Sequence, residues 1–452
     1  MNTVTKRGYV LLAIIIAFIG GLVFLAFSFV TQGGTWATHR VNGHLYSQGE
    51  IKNAGRILDR DGVILAQSKN GERVYNSDKT IRKATLHAVG DTYGYIATGA
   101  HTICRDKLTG YSFVDGIYTL INTGSGSDVT LTIDAKLCAN AYKYLDSRKG
   151  TVGVYNYKTG EIVCMVSTPT YDPKNKPDDI ETNDKYEAVY INRLLNGVFT
   201  PGSTFKTVTT VAALENIPDI SNCTFECTGA HATAQGGQII CNNTHGKLGF
   251  GTAFTKSCNS AYAQMGIGMG ANVLTATANS MGFGKSFSVS GVSTAKSTFN
   301  LKGAVDIDIG WASIGQYTTL VNPLHMLMIM GCAASDGSTP IPYFISDSLS
   351  DVVGSVRTER LLQPATASQL KTMMRNNVMN NYGDGKFPDM QFCGKTGTAQ
   401  VADEASHAWF TGFSADPSFP YAVVVVVEHG GGGSDVAVPI ASKIMKDLKN
   451  SL

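Results

Sequence analysis

Pro201-Gly202-Ser203-Thr204-Phe205-Lys206 opens onto the apolar run Val208–Leu214, which predicts a buried helix over Phe205–Glu215. Lys206 follows Ser203 by three residues and so shares its helical face, one turn on. A serine hydroxyl is a weak nucleophile until a base takes its proton, and a lysine desolvated beside another cation can act as that base. The spacing itself is common, recurring at Ser293–Lys296 and Ser368–Lys371. Ser-x-Asn occurs at Ser68–Asn70 and at Ser257-Cys258-Asn259, and Lys-Thr-Gly at Lys158–Gly160 and Lys395-Thr396-Gly397. Order separates them: only Ser203–Lys206, Ser257–Asn259 and Lys395–Gly397 run as Ser-x-x-Lys, Ser-x-Asn, Lys-Thr-Gly. Lys158-Thr159-Gly160 reads as a hairpin turn.

Outward from these motifs, Asp134 can cap a helix through about Arg148. The β-rich runs Thr151–Tyr155 and Glu161–Ser167 flank the turn Asn156–Gly160 and predict a hairpin. Three more strands are expected at Phe392–Val401, Ala408–Ala415 and Tyr421–Glu428, the last with five consecutive valines. Pro323–Ala334 and Ile440–Leu448 predict further helices. Strands at both ends with helices between them imply an α+β unit whose sheet is assembled from distant segments. Residues 31–128 are Gly-interrupted, with Asp61-Gly62 reading as a hairpin turn. Thr123-Gly124-Ser125-Gly126-Ser127-Asp128 is a flexible stretch, and the domain boundary is expected there.

Tyr9–Val30 is 22 residues without a charge, as a helix roughly 33 Å long and enough to cross a bilayer. Lys6 and Arg7 precede it and Thr31–Thr38 is uncharged. The positive-inside rule then leaves residues 1–8 in the cytoplasm and the rest outside. Charged residues are 16% of the chain and balance to +2, so no long-range field recruits nucleic acid.

The ordered motifs and their flanks resemble those of class B penicillin-binding proteins, monofunctional peptidoglycan transpeptidases. The resemblance rests on Arg56–Ala66, Leu131-Thr132-Ile133-Asp134, Ser167–Pro173, Asn192-Arg193, Pro201–Lys206, Ser313-Ile314-Gly315-Gln316, Gly394–Ala399 and His407–Phe413. It implies a single transmembrane anchor (9–30), a small mixed pedestal (31–128) and a transpeptidase domain (129–452). In that domain an antiparallel sheet is flanked by helices beside an all-helical lobe. It also implies a cell-membrane protein with its catalytic domain outside the cytoplasm.

The resemblance further implies that Ser203 attacks the penultimate D-alanine carbonyl of a stem peptide and that β-lactams acylate the same serine. Lys206 would take the hydroxyl proton, Ser257 relay it and Asn259 hold a substrate amide. Lys395 would supply a charge that depresses the Lys206 pKa. Thr396, Gly397 and Thr398 would bind the substrate, with Thr396 and Thr398 on its carboxylate and the backbone N–H groups of Ser203 and Thr398 forming an oxyanion hole. This chemistry calls for no cofactor and no catalytic metal. The partners implied are stem peptides, β-lactams and a multi-pass membrane glycan polymerase, since residues 31–128 are too few for an added glycosyltransferase and carry no clustered carboxylates of the kind glycosyl transfer uses. A D,D-carboxypeptidase or β-lactamase of the same superfamily is the alternative enzyme, and a β-lactam sensor or structural cell-wall protein the alternative of another class.

Nine cysteines cannot all pair within one chain. Cys223, Cys227 and Cys241 with His245 form a local cluster open to three readings: a Cys227–Cys241 disulfide, free thiols, or a zinc tetrahedron. Cys258 reads as a small packed residue, and Gly430–Gly433 as a flexible turn.

Overall fold

Val423–Val427 are all buried, although successive side chains of a strand point to opposite faces. Both faces of their sheet are therefore covered, and each fully buried valine contributes about 1.5–3 kcal/mol. The computed structural model describes residues 3–39, 41, 46–47, 50–51, 53–111, 126–346, 356–402 and 404–452. Its main sheet is built from β1 (Gly150–Asn156), β2 (Ile162–Thr168), β3 (Phe392–Val401), β4 (Glu404–Ser414) and β5 (Tyr421–Val427). The order is β3-β4-β5-β1-β2, antiparallel throughout. Distant segments thus meet where Val424 pairs with Gly153. The helices Pro323–Ala334, Ala135–Leu145 and Val438–Ser451 cover the sheet. Close approach explains Gly331 on the first of these, since a Cβ there would collide with the Tyr155 hydroxyl.

Asp134 caps the helix Ala135–Leu145, accepting from the N–H groups of Lys136 and Leu137. That helix stops three residues before the expected Arg148, because Asp146 turns left-handed at φ 48°. Asp61-Gly62 forms the expected turn between Ile57–Leu58 and Ile64–Lys69, with Gly62 at φ 82°. Asp59 fastens this turn by accepting the N–H groups of Asp61 and Val63, and its other oxygen accepts the N–H of Ala135. The Arg56–Ala66 motif is thereby tied to the start of the helix Ala135–Leu145. A five-stranded sheet spans the same junction, in the order Ile345–Ser346, Val129–Leu131, Ile57–Leu58, Ile64–Lys69, Glu72–Tyr75. A buried two-pronged ion pair, Arg82–Asp172 with both contacts at 2.7 Å, adds a further tie. The Thr123–Ser125 part of the stretch expected to be flexible lies outside the described residues.

The apolar N-terminal helix runs Thr3–Ala37, longer at both ends than Tyr9–Val30. Its most apolar window has no buried side chains, and its length and composition fit a single-pass membrane anchor. Gly33 and Gly34, beyond the expected span, lie close to Tyr111 and Asp106.

All nine cysteines are free thiols, so the Cys227–Cys241 disulfide does not form. Cys223 is not part of the cluster; it is half exposed, with its sulfur 3.7 Å from the Asp219 carbonyl oxygen. Gly430–Gly433 leads into a helical turn at Gly433–Ala437. Gly433 lies so close to the Gly397 and Trp409 carbonyls that a Cβ would meet both within 2.5 Å.

Candidate active site

Gly202–Phe205 forms a 3-10 turn that runs straight into the helix Lys206–Asn216. Gly202 sits at φ 53°, where a Cβ would come within 2.7 Å of the Thr398 carbonyl oxygen. Its N–H donates to the Gly315 carbonyl at 3.0 Å, which joins the Ser313–Gln316 motif to the serine turn. Trp409 Nε1–H holds the other side, donating to the Thr200 carbonyl at 3.0 Å. Ser203 is thus presented on a tightly braced turn beside the sheet-edge strand β3.

The expected residues converge. Lys206 Nζ, fully buried, lies within hydrogen-bond distance of Ser203 Oγ at 3.1 Å, Ser257 Oγ at 3.1 Å, Asn259 Oδ1 at 2.7 Å and the Ser257 carbonyl at 2.6 Å, four acceptors sharing its three N–H groups. Lys395 Nζ donates to the same Ser257 Oγ at 2.9 Å and to the Thr396 carbonyl at 3.2 Å. Ser257 therefore bridges two buried ammonium groups. It does so from a left-handed backbone, φ 51°, which is uncommon for a non-glycine residue and concentrated at functional sites.

Burial pushes the Lys206 ammonium down to about 7, against an opposing pull from the Cys241 and Cys258 sulfurs. Lys395 is also held well below the ordinary lysine range, first by burial and then by the Lys206 charge. The two groups face each other across Ser257, so their repulsion is mutual, and burial is the larger cause of the depression at both.

Asn259 is less free than expected. Its Oδ1 accepts from Lys206 and its Nδ2 donates to the Ile240 carbonyl at 2.9 Å, which leaves one amide N–H for another partner. Thr396 is held by Tyr382, whose hydroxyl lies 2.8 Å from Thr396 Oγ1 and accepts the Thr396 N–H at 3.1 Å. Asn377 steadies Tyr382 from behind at 3.1 Å. Gly397 is buried, with room for a Cβ denied by the Pro201 carbonyl, while Thr398 is exposed and its Oγ1 accepts the Gly433 N–H at 3.3 Å.

Ser203, Ser257, Asn259, Lys395, Thr396 and Thr398 line one polar cleft of about 520 Å³. Tyr382, Trp311 and Gln316 line it as well. Of these only Gln316 lay in a quoted motif; Tyr382 and Trp311 carry no spacing signal and reach the cleft through tertiary packing.

The sequence profile of the penicillin binding protein transpeptidase domain matches residues 150–446. The chain belongs to the penicillin-binding protein transpeptidase family. Among curated relatives of this penicillin-binding protein, the peptidoglycan D,D-transpeptidase PbpA of Mycobacterium tuberculosis is 28% identical over 331 residues, covering 66% of each chain. The stage V sporulation protein D of Bacillus subtilis is 27% identical over 355 residues, 71% of this chain and 53% of that one. The matches thus span just under two-thirds, or about half, of the relatives' own lengths. These relatives put the chain with the class B type. Among solved structures, the ceftriaxone acyl-enzyme complex of penicillin-binding protein A from M. tuberculosis superposes with a TM-score of 0.77 at 24% identity, covering 87% of this chain and 98% of that one. The D,D-transpeptidase domain of a peptidoglycan glycosyltransferase from Eggerthella lenta gives 0.75 at 25%, covering 89% and 100%.

Proposed function

We propose that this protein is a peptidoglycan D,D-transpeptidase working through a Ser203 acyl-enzyme, the same serine being the target of β-lactams. The observation that carries the reading is the Lys206 ammonium. It lies 3.1 Å from Ser203 Oγ and burial holds it at about 7, so its neutral form is available to take the hydroxyl proton.

In this reading Ser203 Oγ attacks the carbonyl carbon of the penultimate D-alanine as its proton passes to Lys206 Nζ. The tetrahedral oxygen is met by the backbone N–H groups of Ser203 and Thr398, a donor of this kind being worth roughly 3 kcal/mol. The C–N bond to the terminal D-alanine then breaks. Ser257, within hydrogen-bond reach of both lysines, hands the proton to the leaving amine. An amine of a second stem peptide attacks the ester, returns a proton to Ser203 Oγ by the same route and leaves cross-linked. A β-lactam follows the first half of this path: its ring amide opens and the ester persists. Tyr382 keeps Thr396 oriented toward the substrate carboxylate, and Lys395 balances that charge.

Residues 9–30 of the helix Thr3–Ala37 serve as the anchor, residues 31–128 as the pedestal and residues 129–452 as the extracytoplasmic catalytic domain. Gly20 and Gly21 have no heavy atom within 4 Å of where a Cβ would sit, leaving room for a helix of a multi-pass glycan polymerase to approach. The test is to give the purified protein a pentapeptide donor and an amine acceptor and to follow D-alanine and product by mass. Cross-linked product that disappears with Ser203→Ala supports transpeptidation. Hydrolysed tetrapeptide alone would favour a carboxypeptidase, and no turnover would favour a sensor or scaffold.

A further inference from the structure

Three sulfurs and an imidazole converge behind the Ser257–Asn259 motif. Cys227 ends the strand Thr224–Cys227, and His245 immediately precedes the strand paired with it, Gly246–Gly249. Cys241 follows the strand Gln238–Ile240. Cys258 caps the helix Asn259–Ser280, its sulfur accepting the Ala261 N–H at 3.4 Å. One atom from each of these four residues lies within 4.8 Å of all the others. Cys227 Sγ and Cys241 Sγ each lie 3.5 Å from His245 Nδ1, and Cys241 Sγ lies 3.8 Å from Cys258 Sγ.

These lengths have a geometric meaning. Tetrahedral zinc with its usual Zn–S and Zn–N bonds separates two sulfurs by about 3.8 Å and a sulfur from a nitrogen by about 3.6 Å. Three of the six edges, at 3.5, 3.5 and 3.8 Å, match those of that tetrahedron, and the other three lie within 4.8 Å. A disulfide would need the two sulfurs at about 2.05 Å.

We propose that Cys227, Cys241, His245 and Cys258 bind one zinc ion in a closed structural site. Four protein ligands leave no open position, so the ion holds structure rather than activating water. On binding, each of the three thiols gives its proton to solvent and the imidazole binds neutral, which leaves a net charge of −1 on the site. Cys258 stands between Ser257 and Asn259, and Cys241 follows Ile240, whose carbonyl accepts from Asn259 Nδ2. The ion therefore pins both sides of the loop that holds Lys206. His245 also lines the active-site cleft, which gives the metal its path in. The effect on acylation rests on the transpeptidase reading, whereas the metal content does not.

The experiment uses the full chain, purified without chelator and analysed for metal by mass spectrometry, then stripped and reloaded with Zn²⁺ or Co²⁺ alone. One zinc per chain and, with Co²⁺, the intense visible bands of a tetrahedral thiolate site are expected. Cys223→Ser should leave both unchanged. His245→Ala should weaken zinc retention by about 10–100-fold, the loss typical of even an outer-shell partner. It keeps all three thiols, so it serves where cysteine variants fail to fold. Stripping should slow penicillin acylation and reloading should restore it. Metal-free protein that takes up neither ion, or recovery of Cys241 and Cys258 in one disulfide-linked peptide, would overturn the site. Bound zinc whose removal leaves acylation unchanged would overturn the proposed support of the Ser257–Asn259 loop.

Discussion

Lowering the pH should slow acylation over a narrow range through the protonation of Lys206. Lys206 acts as a base only when neutral, and burial holds it at about 7. The neutral fraction is then about 0.9 at pH 8, about 0.5 at pH 7 and about 0.1 at pH 6. Acylation by a penicillin, measured as a second-order rate with a fluorescent derivative, should therefore fall about tenfold from pH 8 to pH 6 and level off above pH 8. A lysine at its ordinary value would instead give a tenfold change per pH unit with no plateau below about pH 10. Lys206→Arg keeps the charge but cannot deprotonate, and should lower the rate by about 10²–10⁴-fold at pH 8. A flat wild-type profile between pH 6 and 8, or an arginine variant within a few-fold of wild type, would refute the assignment of Lys206 as the base.

Gly202→Ala adds a Cβ at φ 53° and 2.7 Å from the Thr398 carbonyl. It should cost about 1–3 kcal/mol in thermal unfolding and depress acylation, since it displaces Thr398; an unchanged melting temperature would count against the braced turn. Tyr382→Phe removes the partner of Thr396 Oγ1, Thr396 N–H and Asn377 Nδ2, and should cut acylation by about tenfold, the equivalent of one hydrogen bond, with the fold intact by circular dichroism. Arg82→Ala leaves the buried Asp172 carboxylate unpaired and should destabilise by about 3–5 kcal/mol, read as a shift of the denaturation midpoint.

Elements whose apolar pattern is decided locally were legible in the sequence. Pro323–Ala334 forms with the expected bounds and Tyr421–Val427 within one residue of them, because a methionine- or valine-rich run bordered by a proline or turn residues admits few alternatives. The ordered motifs identified Ser203, Lys206, Ser257, Asn259 and Lys395, which meet in one hydrogen-bonded cluster. What depended on the third dimension was not legible. Cys258 lies 17 residues from Cys241 and reaches it only through the helix start at Asn259, so the local cluster wrongly enlisted Cys223. Tyr382 meets Thr396 across 14 residues and no periodicity marks it. The burial that depresses both Lys206 and Lys395 depends on tertiary packing, which spacing cannot express.

The central claim is that Ser203 carries the acyl group. The most direct measurement incubates the full chain with penicillin, digests it and locates the added mass by tandem mass spectrometry. A single adduct on the peptide containing Ser203, lost in Ser203→Ala and kept in Ser293→Ala and Ser368→Ala, is the predicted result. An adduct on any other residue, or label retained by Ser203→Ala, would contradict it.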